Sequence, residues 1–258
     1  MGPPQAPKPS AEVLGFDVGG SGIKAGVVDL TAGRLITERM RYPTPQPATP
    51  VAVTKLISAM TDEFSWAGAV GVAVPAIVRK GVIYSAANID KAWIGDRASR
   101  RISRALGRKV QMINDADAAG LAEMHYGAGR RYHKGVVILL TFGTGIGSAI
   151  FVDGELLPNS ELGHLKLEGS DAEHWASAKA REDGRLSWKR WGARVNRYLQ
   201  HVEFLLSPDL FIVGGGVSRQ SEFFLPYLDT RAKIATATLR NRAGIIGAAW
   251  QARYRGET

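Results

Sequence analysis

Three apolar stretches of this 258-residue chain each break into a glycine turn. The sharpest is LLTFGTGIGSAI, residues 139–150, where a buried-strand pattern opens into Gly143, Thr144, Gly145 and Gly147 and then resumes as a strand. FDVGGSGIKAGVVDL, 16–30, repeats the design with Asp17, Gly19, Gly20, Ser21, Gly22 and Lys24, and IVGGGVS, 212–218, carries Gly214, Gly215 and Gly216 after a third strand. A turn without bulky side chains lets backbone N–H groups approach an anion closely. Three such turns, two with a hydroxyl, predict a protein that grips phosphate from several sides. None is a P-loop, because GxxxxGK[ST] is absent, and the first two turns lead into strands where a dinucleotide fingerprint opens a helix.

Composition narrows the chemistry. The chain has no cysteine, which excludes disulfides, thiolate catalysis and cysteine-ligated zinc. The first ten residues, MGPPQAPKPS, are proline-rich and lack the apolar core of a signal peptide. No apolar run is long enough to cross a membrane, so a cytoplasmic protein is expected. The net charge of +9 is spread evenly along the chain. A field of that sign favours acidic partners without choosing among them.

Periodicity predicts an α/β chain. Strands are expected over 12–18, 23–30 and 34–42, then a proline-rich linker over 43–50 and a helix over about 50–64. A buried strand over 68–75, a hairpin at Lys80-Gly81, a helix over 96–106 and a strand over 110–115 follow. A helix over 115–127 stops at Gly127. A second series begins with strands over 135–141 and 146–152. In the helix over 187–206, Trp188, Trp191, Val195, Tyr198, Val202 and Leu205 share one face. A strand at DLFIVGG and helices near 217–227 and 242–254 close the chain. The order is a pseudo-duplicated α/β arrangement. It divides into a disordered tail over 1–11, an N-terminal domain over 12–127 and a C-terminal domain over 128–258, whose last helix packs back on the first domain.

Asp115 ends an apolar strand and begins a helix, which suits either a cleft carboxylate or a helix cap, and Asp117 is the better capping candidate. Glu161 and His164 are three apart and can face one ligand edge. Lys24 suits either a phosphate contact or an exposed position of an alternating strand. Arg97, Arg101, Arg104 and Arg108 form one basic stripe at helical spacing. Arg190, Arg194 and Arg197, beside Lys189, form another. Each is either a solvated helix face or a track for a polyanion.

DVGGSGIKAGVVD, NDADAAG, TFGTGIG, ELGH and IVGGGVS occur in the order and approximate spacing of the ROK sugar kinases, and the chain resembles that family over residues 12–250. TPQPATP, SAANIDKAW, YGAG, PDLFIVGGGVSR and NRAGIIGAA resemble its branch that phosphorylates glucose with inorganic polyphosphate, often with ATP as well. The resemblance implies a two-domain actin/hexokinase-like (ribonuclease H-like) fold with a cleft between domains, and a homodimer. It implies that Asp115 accepts the proton of the sugar 6-hydroxyl. Asn88, Asn114, Asp115, Glu161, His164 and Glu173 would bind the sugar, glucose or also mannose. Gly19 to Gly22, Lys24 and Gly143 to Gly147 would hold phosphates, Gly214 to Gly216 would border ATP, and Asp17 would hold Mg²⁺ through water.

Two departures stand out. The cysteine-rich zinc motif common after the Gly-His pair is missing from GHLKLEGSDAEHW, 163–175, so no structural zinc is expected. Pro75-Ala76 stands where the branch has Pro-Gly, and alanine resists positive φ. Neither nucleic acid nor a membrane is an expected partner. The residue pattern leaves open an ATP-only hexose kinase and a non-catalytic sugar-binding protein.

Overall fold

The computed structural model describes residues 11–86 and 89–254. The tail expected over the first residues therefore lies almost wholly outside the described residues, as does Asn88.

The chain folds as the same sheet built twice. In the first sheet β1 (Glu12–Val18) and β2 (Ile23–Asp29) form an antiparallel hairpin around the glycine turn, with β3 (Arg34–Leu35) and β4 (Met40–Tyr42) on the outer edge of β2. The chain then crosses through α1 (Pro50–Glu63) to β5 (Val70–Val74), which lies parallel to β1. A small hairpin of β6 (Val78–Arg79) and β7 (Val82–Ile83) follows, then α2 (Ala98–Leu106), β8 (Val110–Asn114), parallel to β5, and α3 (Asp115–Tyr126).

The second sheet repeats the scheme. β9 (Val136–Phe142), β10 (Ile146–Val152) and β11 (Glu155–Leu157) form the meander. The short pair β12 (Lys166–Leu167) and β13 (Ser170–Asp171) leads into α4 (Ala172–Ala176), α5 (Ala178–Asp183) and α6 (Trp188–Leu206). β14 (Leu210–Gly214) and β15 (Lys233–Thr236) then extend the sheet in parallel beyond β9, before α7 (Ala243–Tyr254). The strand orders are β3-β2-β1-β5-β8 and β11-β10-β9-β14-β15. Both place a hairpin first and two parallel crossovers after it, as the pseudo-duplicated pattern predicts.

Local chemistry fixes the elements. Proline at the first turn of α1 costs no hydrogen bond, and Thr49 caps that helix by accepting from the Ala52 N–H at 3.2 Å. Gly107 ends α2 in the left-handed region. In α6, Trp191, Val195, Tyr198, Leu199 and Val202 are buried, and Phe142 meets Trp191 and Tyr198 edge-on.

Several details differ from the sequence reading. The strand expected over 34–42 is two short strands, because the Thr37 hydroxyl takes the Val27 N–H at 3.1 Å and replaces a main-chain rung. The helix expected near 217–227 is two stretches of 3₁₀ helix, Gly216–Phe223 and Leu225–Tyr227, interrupted at Gln220 and carrying Pro226. α4 and α5 were not legible in the pattern. Leu205 leaves the buried face of α6 and is half exposed. Ala76 is buried without positive φ, and its N–H closes a turn on the Val74 carbonyl at 2.9 Å, so alanine fits there.

α3 and α7 pack against each other, α7 also against β1 and β5 of the first sheet, and α3 also against β10 of the second. Glycine makes that approach possible. A Cβ on Gly71 of β5 would fall 1.9 Å from the Ala248 carbonyl oxygen of α7, and one on Gly247 would fall 1.7 Å from the Ala118 carbonyl oxygen of α3. Both obstacles are backbone and cannot swing aside. Gly71→Ala and Gly247→Ala are therefore expected to cost ~3 kcal/mol or more, at the upper end of overpacking. Chemical denaturation reads this directly, and an unchanged midpoint would show that α7 shifts without cost.

Candidate active site

The ends of β1, β8 and β9, the N-termini of α3 and α7 and the turn after β11 bring most of the singled-out residues together. Asp17 stands opposite Lys24 in the β1–β2 register, and Lys24 Nζ donates to Asp17 Oδ2 at 2.8 Å. Arg41 lies opposite Lys24 on the next strand. The glycine turn between β1 and β2 closes by a hydrogen bond from Gly19 N–H to the Gly22 carbonyl at 3.0 Å. Thr44 Oγ1 and Gln46 Nε2 donate to the carbonyls of Gly19 and Gly20, which leaves Gly20 and Ser21 exposed at the tip. A Cβ on Gly22 would fall 2.9 Å from Arg41 Nε, so this glycine lets a guanidinium lie against the turn. Gly244, in the first turn of α7, backs onto Asp17, so the positive end of a helix faces that carboxylate.

Asp115 is the first residue of α3 and is half-buried. Asn114 caps the helix: its Oδ1 accepts from the N–H groups of Ala116 at 2.8 Å and Asp117 at 3.0 Å, and its Nδ2 donates to the Ala76 carbonyl. The expectation that Asp117 caps is corrected. Asp117 lies inside the first turn, buried, with one carboxylate oxygen accepting from the Asn159 N–H. Because Asn114 does the capping, Asp115 keeps much of its carboxylate for the cleft; Oδ1 accepts the adjoining Ala116 N–H at 2.8 Å. Burial pushes the Asp115 carboxyl up to about 7, and the negative charges of Asp17 and Glu161 push the same way.

The ELGH turn is riveted to the second sheet. Ser148 Oγ accepts from the Leu162 N–H at 2.9 Å, and Gly163 packs on the Ile146 carbonyl, where a Cβ would sit 2.2 Å away. Glu161 is half-buried with its carboxyl raised by burial, against the pull of His164. His164 Nδ1 lies 3.0 Å from Asp171 Oδ2 and 3.9 Å from Glu173 Oε1. That Asp171 contact, with the charges of Glu173 and Glu161, raises the imidazole pKa. Asp171 is itself held down to about 2 by Lys166 and His164.

Glu173 also serves the second glycine loop. Its Oε2 accepts from the Ile146 N–H at 3.2 Å, and a Cβ on Gly145 would fall 2.3 Å from the same oxygen. Gly147 approaches both Thr141 and the Ala116 side chain, which sets this loop beside the start of α3. Gly214 pairs with Thr141, and Gly215, at φ +84°, lies on the Phe142 backbone, so the second and third loops adjoin. Thr144 and Gly143 are exposed at the tip.

The basic stripes change membership. Arg101 on α2 is tied to Asp96, and Arg108, beyond the end of that helix, donates to the Leu106 carbonyl. Arg97, Arg100 and Arg104 are exposed and line a shallow pocket of about 420 Å³ with Asp96 and Arg101. On α6, Arg194 lies over Trp175 and donates to its carbonyl, and Arg197 pairs with Glu168. The sequence reading missed Arg41, Asp171, Lys166 and Asn159. Arg41 was visible as the outward residue opposite Lys24; the others depend on turns that no periodicity marks.

No group of three or more His, Asp or Glu side chains suited to enclosing a metal occurs among the described residues. Asp17 is the carboxylate beside the first glycine loop, paired with Lys24 and with Asp115 near it. That donor set fits Mg²⁺ held mainly by water and phosphate, and does not fit a closed protein cage.

A family model described as "ROK family" matches residues 13–177. Polyphosphate glucokinase of Mycobacterium tuberculosis is 49% identical over 92% of this chain and 89% of its own length. The inorganic polyphosphate/ATP-glucomannokinase from Arthrobacter sp. strain KM superposes with a TM-score of 0.91 at 50% identity, covering 95% of this chain and all of that one. A ROK family glucokinase from Streptomyces griseus, solved with glucose and AMPPNP, superposes with a TM-score of 0.81 at 26% identity, covering 94% and 99%. By the family model and by identity over nearly its whole length, this chain belongs to the ROK family.

Proposed function

We propose that this protein is a sugar kinase that transfers the terminal phosphoryl group of inorganic polyphosphate, and also of ATP, to the 6-hydroxyl of glucose. The observation that carries the reading is Asp115: a half-buried carboxylate at the start of α3, near Asp17, Glu161 and the second glycine loop. Relatives named as polyphosphate glucokinases at 49% identity and the polyphosphate/ATP-glucomannokinase fold match support the donor and the sugar.

Asp115 takes the proton from O6 as that oxygen forms its bond to phosphorus. The bridging P–O bond breaks and its electron pair stays on the departing phosphate chain. Asn88, Asn114, Glu161, His164 and Glu173 hold the hexose through donors and acceptors matched to its hydroxyls, for glucose and for mannose. Gly19 to Gly22 and Gly143 to Gly147 hold phosphate oxygens with backbone N–H groups, aided by Ser21, Thr144 and Lys24. Gly214 to Gly216 border the nucleoside when ATP is the donor. Asp17 would hold Mg²⁺ through water, and the ion would supply positive charge against the donor phosphates. The chain divides into domains over 12–127 and 128–258 around this cleft. The exposed end of α6, with Phe204 78% accessible, supports a homodimer. The protein works in the cytoplasm.

Asp115→Asn is expected to lower kcat by about 10²–10⁴-fold while glucose still binds, because the amide keeps the shape but cannot take the proton. Retention of most of the wild-type kcat would remove Asp115 from this role.

The raised Asp115 carboxyl gives a pH signature. The base is active only when ionised, so kcat/KM is expected to climb with pH and level off above about 7. A profile that is flat from pH 5 to about 8 would assign the proton transfer elsewhere.

A long polyanion meets many Lys and Arg side chains and releases a counterion at each, whereas ATP meets few. Raising salt at fixed free Mg²⁺ is expected to increase KM for long polyphosphate far more steeply than KM for ATP. Equal slopes would confine donor binding to the glycine loops. Turnover with ATP and none with polyphosphate would make this an ATP-only hexose kinase.

A further inference from the structure

One buried carboxylate beside the site has no place in the proposed chemistry. Asp117 is 1% exposed in the first turn of α3. Its Oδ2 accepts from the Asn159 N–H at 2.7 Å, while its Oδ1 is buried without a partner among the described residues. Asn159 sits at φ +61°, in the left-handed region that asparagine tolerates better than most residues. Its side chain reaches the other way. Oδ1 accepts from the Val78 N–H at 2.8 Å, and Nδ2 donates to the Val78 carbonyl at 3.0 Å.

These three hydrogen bonds join separate parts of the fold. Val78 belongs to the β6–β7 hairpin that follows β5 of the first sheet, Asn159 to the turn after β11 of the second, and Asp117 to the helix between the sheets. The same turn is pinned from behind, where Ser160 Oγ donates to the Ser148 carbonyl at 3.0 Å. Glu161 is the next residue. Its direction is therefore set by a turn held on one side by β10 and on the other by Asp117 and Val78.

We propose that Asp117 is a positioning residue for the sugar, acting through Asn159: the Asp117–Asn159–Val78 clasp ties the hairpin of the first sheet to the turn that aims Glu161. The inference rests on the reading of Glu161 as a sugar ligand. It deepens that reading by placing control of sugar affinity on two residues outside the site. Burial also pushes the Asp117 carboxyl up to about 7. A protonated Asp117 is nearly isosteric with asparagine, which supplies a conservative variant.

The test uses the full chain with Asp117→Ala, Asp117→Asn, Asn159→Ala and the Asp117→Ala/Asn159→Ala double variant. Glucose binding is read by calorimetry without donor, and KM for glucose and for polyphosphate is read separately. Asp117→Ala removes the acceptor of the Asn159 N–H, and Asn159→Ala removes both side-chain bonds to Val78; each break in the clasp is expected to weaken glucose binding about tenfold or more. KM for polyphosphate should stay within about twofold of wild type, because the phosphate loops are untouched by the clasp. Asp117→Asn should restore most of the affinity, since its amide oxygen still accepts from Asn159. The double variant should be no weaker than the worse single one, because the three parts are joined in series and breaking either half releases the same turn.

Unaltered glucose affinity in the alanine variants would overturn the proposal. So would a parallel rise in both KM values, or additive losses in the double variant. If Asp117→Ala does not fold, Asn159→Ala at a half-buried position decides by the same readings. A wild-type chain that binds no glucose at all would instead overturn the sugar-site reading beneath it.

Discussion

Crowding of carboxylates at one junction is the constraint around which this fold is arranged. Asp115 and Asp117 stand at the start of α3, Glu161 lies near them, and Asp17 and Glu173 flank the group. Burial is the main reason that Asp115, Asp117 and Glu161 are all raised, and like charges this close add to it. The opposing charge is local and partial. Lys24 is committed to Asp17, and His164 shares its proton affinity between Asp171 and the two glutamates. The starts of α3 and α7 add positive helix ends. Such a site favours ligands that bring hydroxyl donors or cations, and on the proposed reading the hexose and Mg²⁺ bring both.

The crowding is held in place by backbone contact. α7 lies on β1 and β5 through Gly15 and Gly71, and on α3 through Gly247, with side chains absent at each crossing. Glu123, buried in α3, accepts from the N–H groups of Ala128 and Leu239 and from the Thr238 hydroxyl, so the chain on both sides of the second sheet returns to one helix. α3 and α7 thus have little freedom to slide. Because Asp115 opens one of them and Gly244 brings the other against Asp17, their relative position fixes the distance between the candidate base and the first glycine loop.

Much of this was legible because it is written in local pattern. The glycine turns announce themselves by composition, β9 and β10 by apolar runs around them, and α6 by its buried stripe. Asp115 was legible because strand periodicity stops at Asn114 and helix periodicity starts there. What stayed hidden depends on side chains that replace backbone. Asn114 took the cap assigned to Asp117, because an Asn one residue earlier meets two N–H groups at once. Thr37 broke a strand that its alternation had predicted whole. Asn159 lies in a short turn and Asp171 ends a two-residue strand, neither long enough to show a period, and their partners are far along the chain or on the neighbouring two-residue strand. The arginine stripes illustrate the converse: spacing placed them on a face, but pairing with Asp96 and Glu168 took members away.

The same division of labour bears on donor choice. On the proposed reading, the first and second loops meet the donor with backbone N–H groups and hydroxyls, which recognise phosphate oxygens whatever is attached beyond them. Nothing in Gly19 to Gly22 or Gly143 to Gly147 can tell a polyphosphate chain from the phosphates of ATP. Discrimination has to lie farther out, where the two donors differ: toward the adenosine, past the adjoining Gly214 to Gly216 turn, or along the exposed basic surface. Since Gly215 is locked against Phe142, that turn moves only with the strand carrying the second loop. A change that opens it to a nucleoside therefore also moves the phosphate grip. The basic surface carries no such penalty, because exposed Arg97, Arg100 and Arg104 can vary without disturbing a buried contact. If the basic surface meets the donor, preference for a long polyanion can be tuned there independently of the chemistry proposed at Asp115.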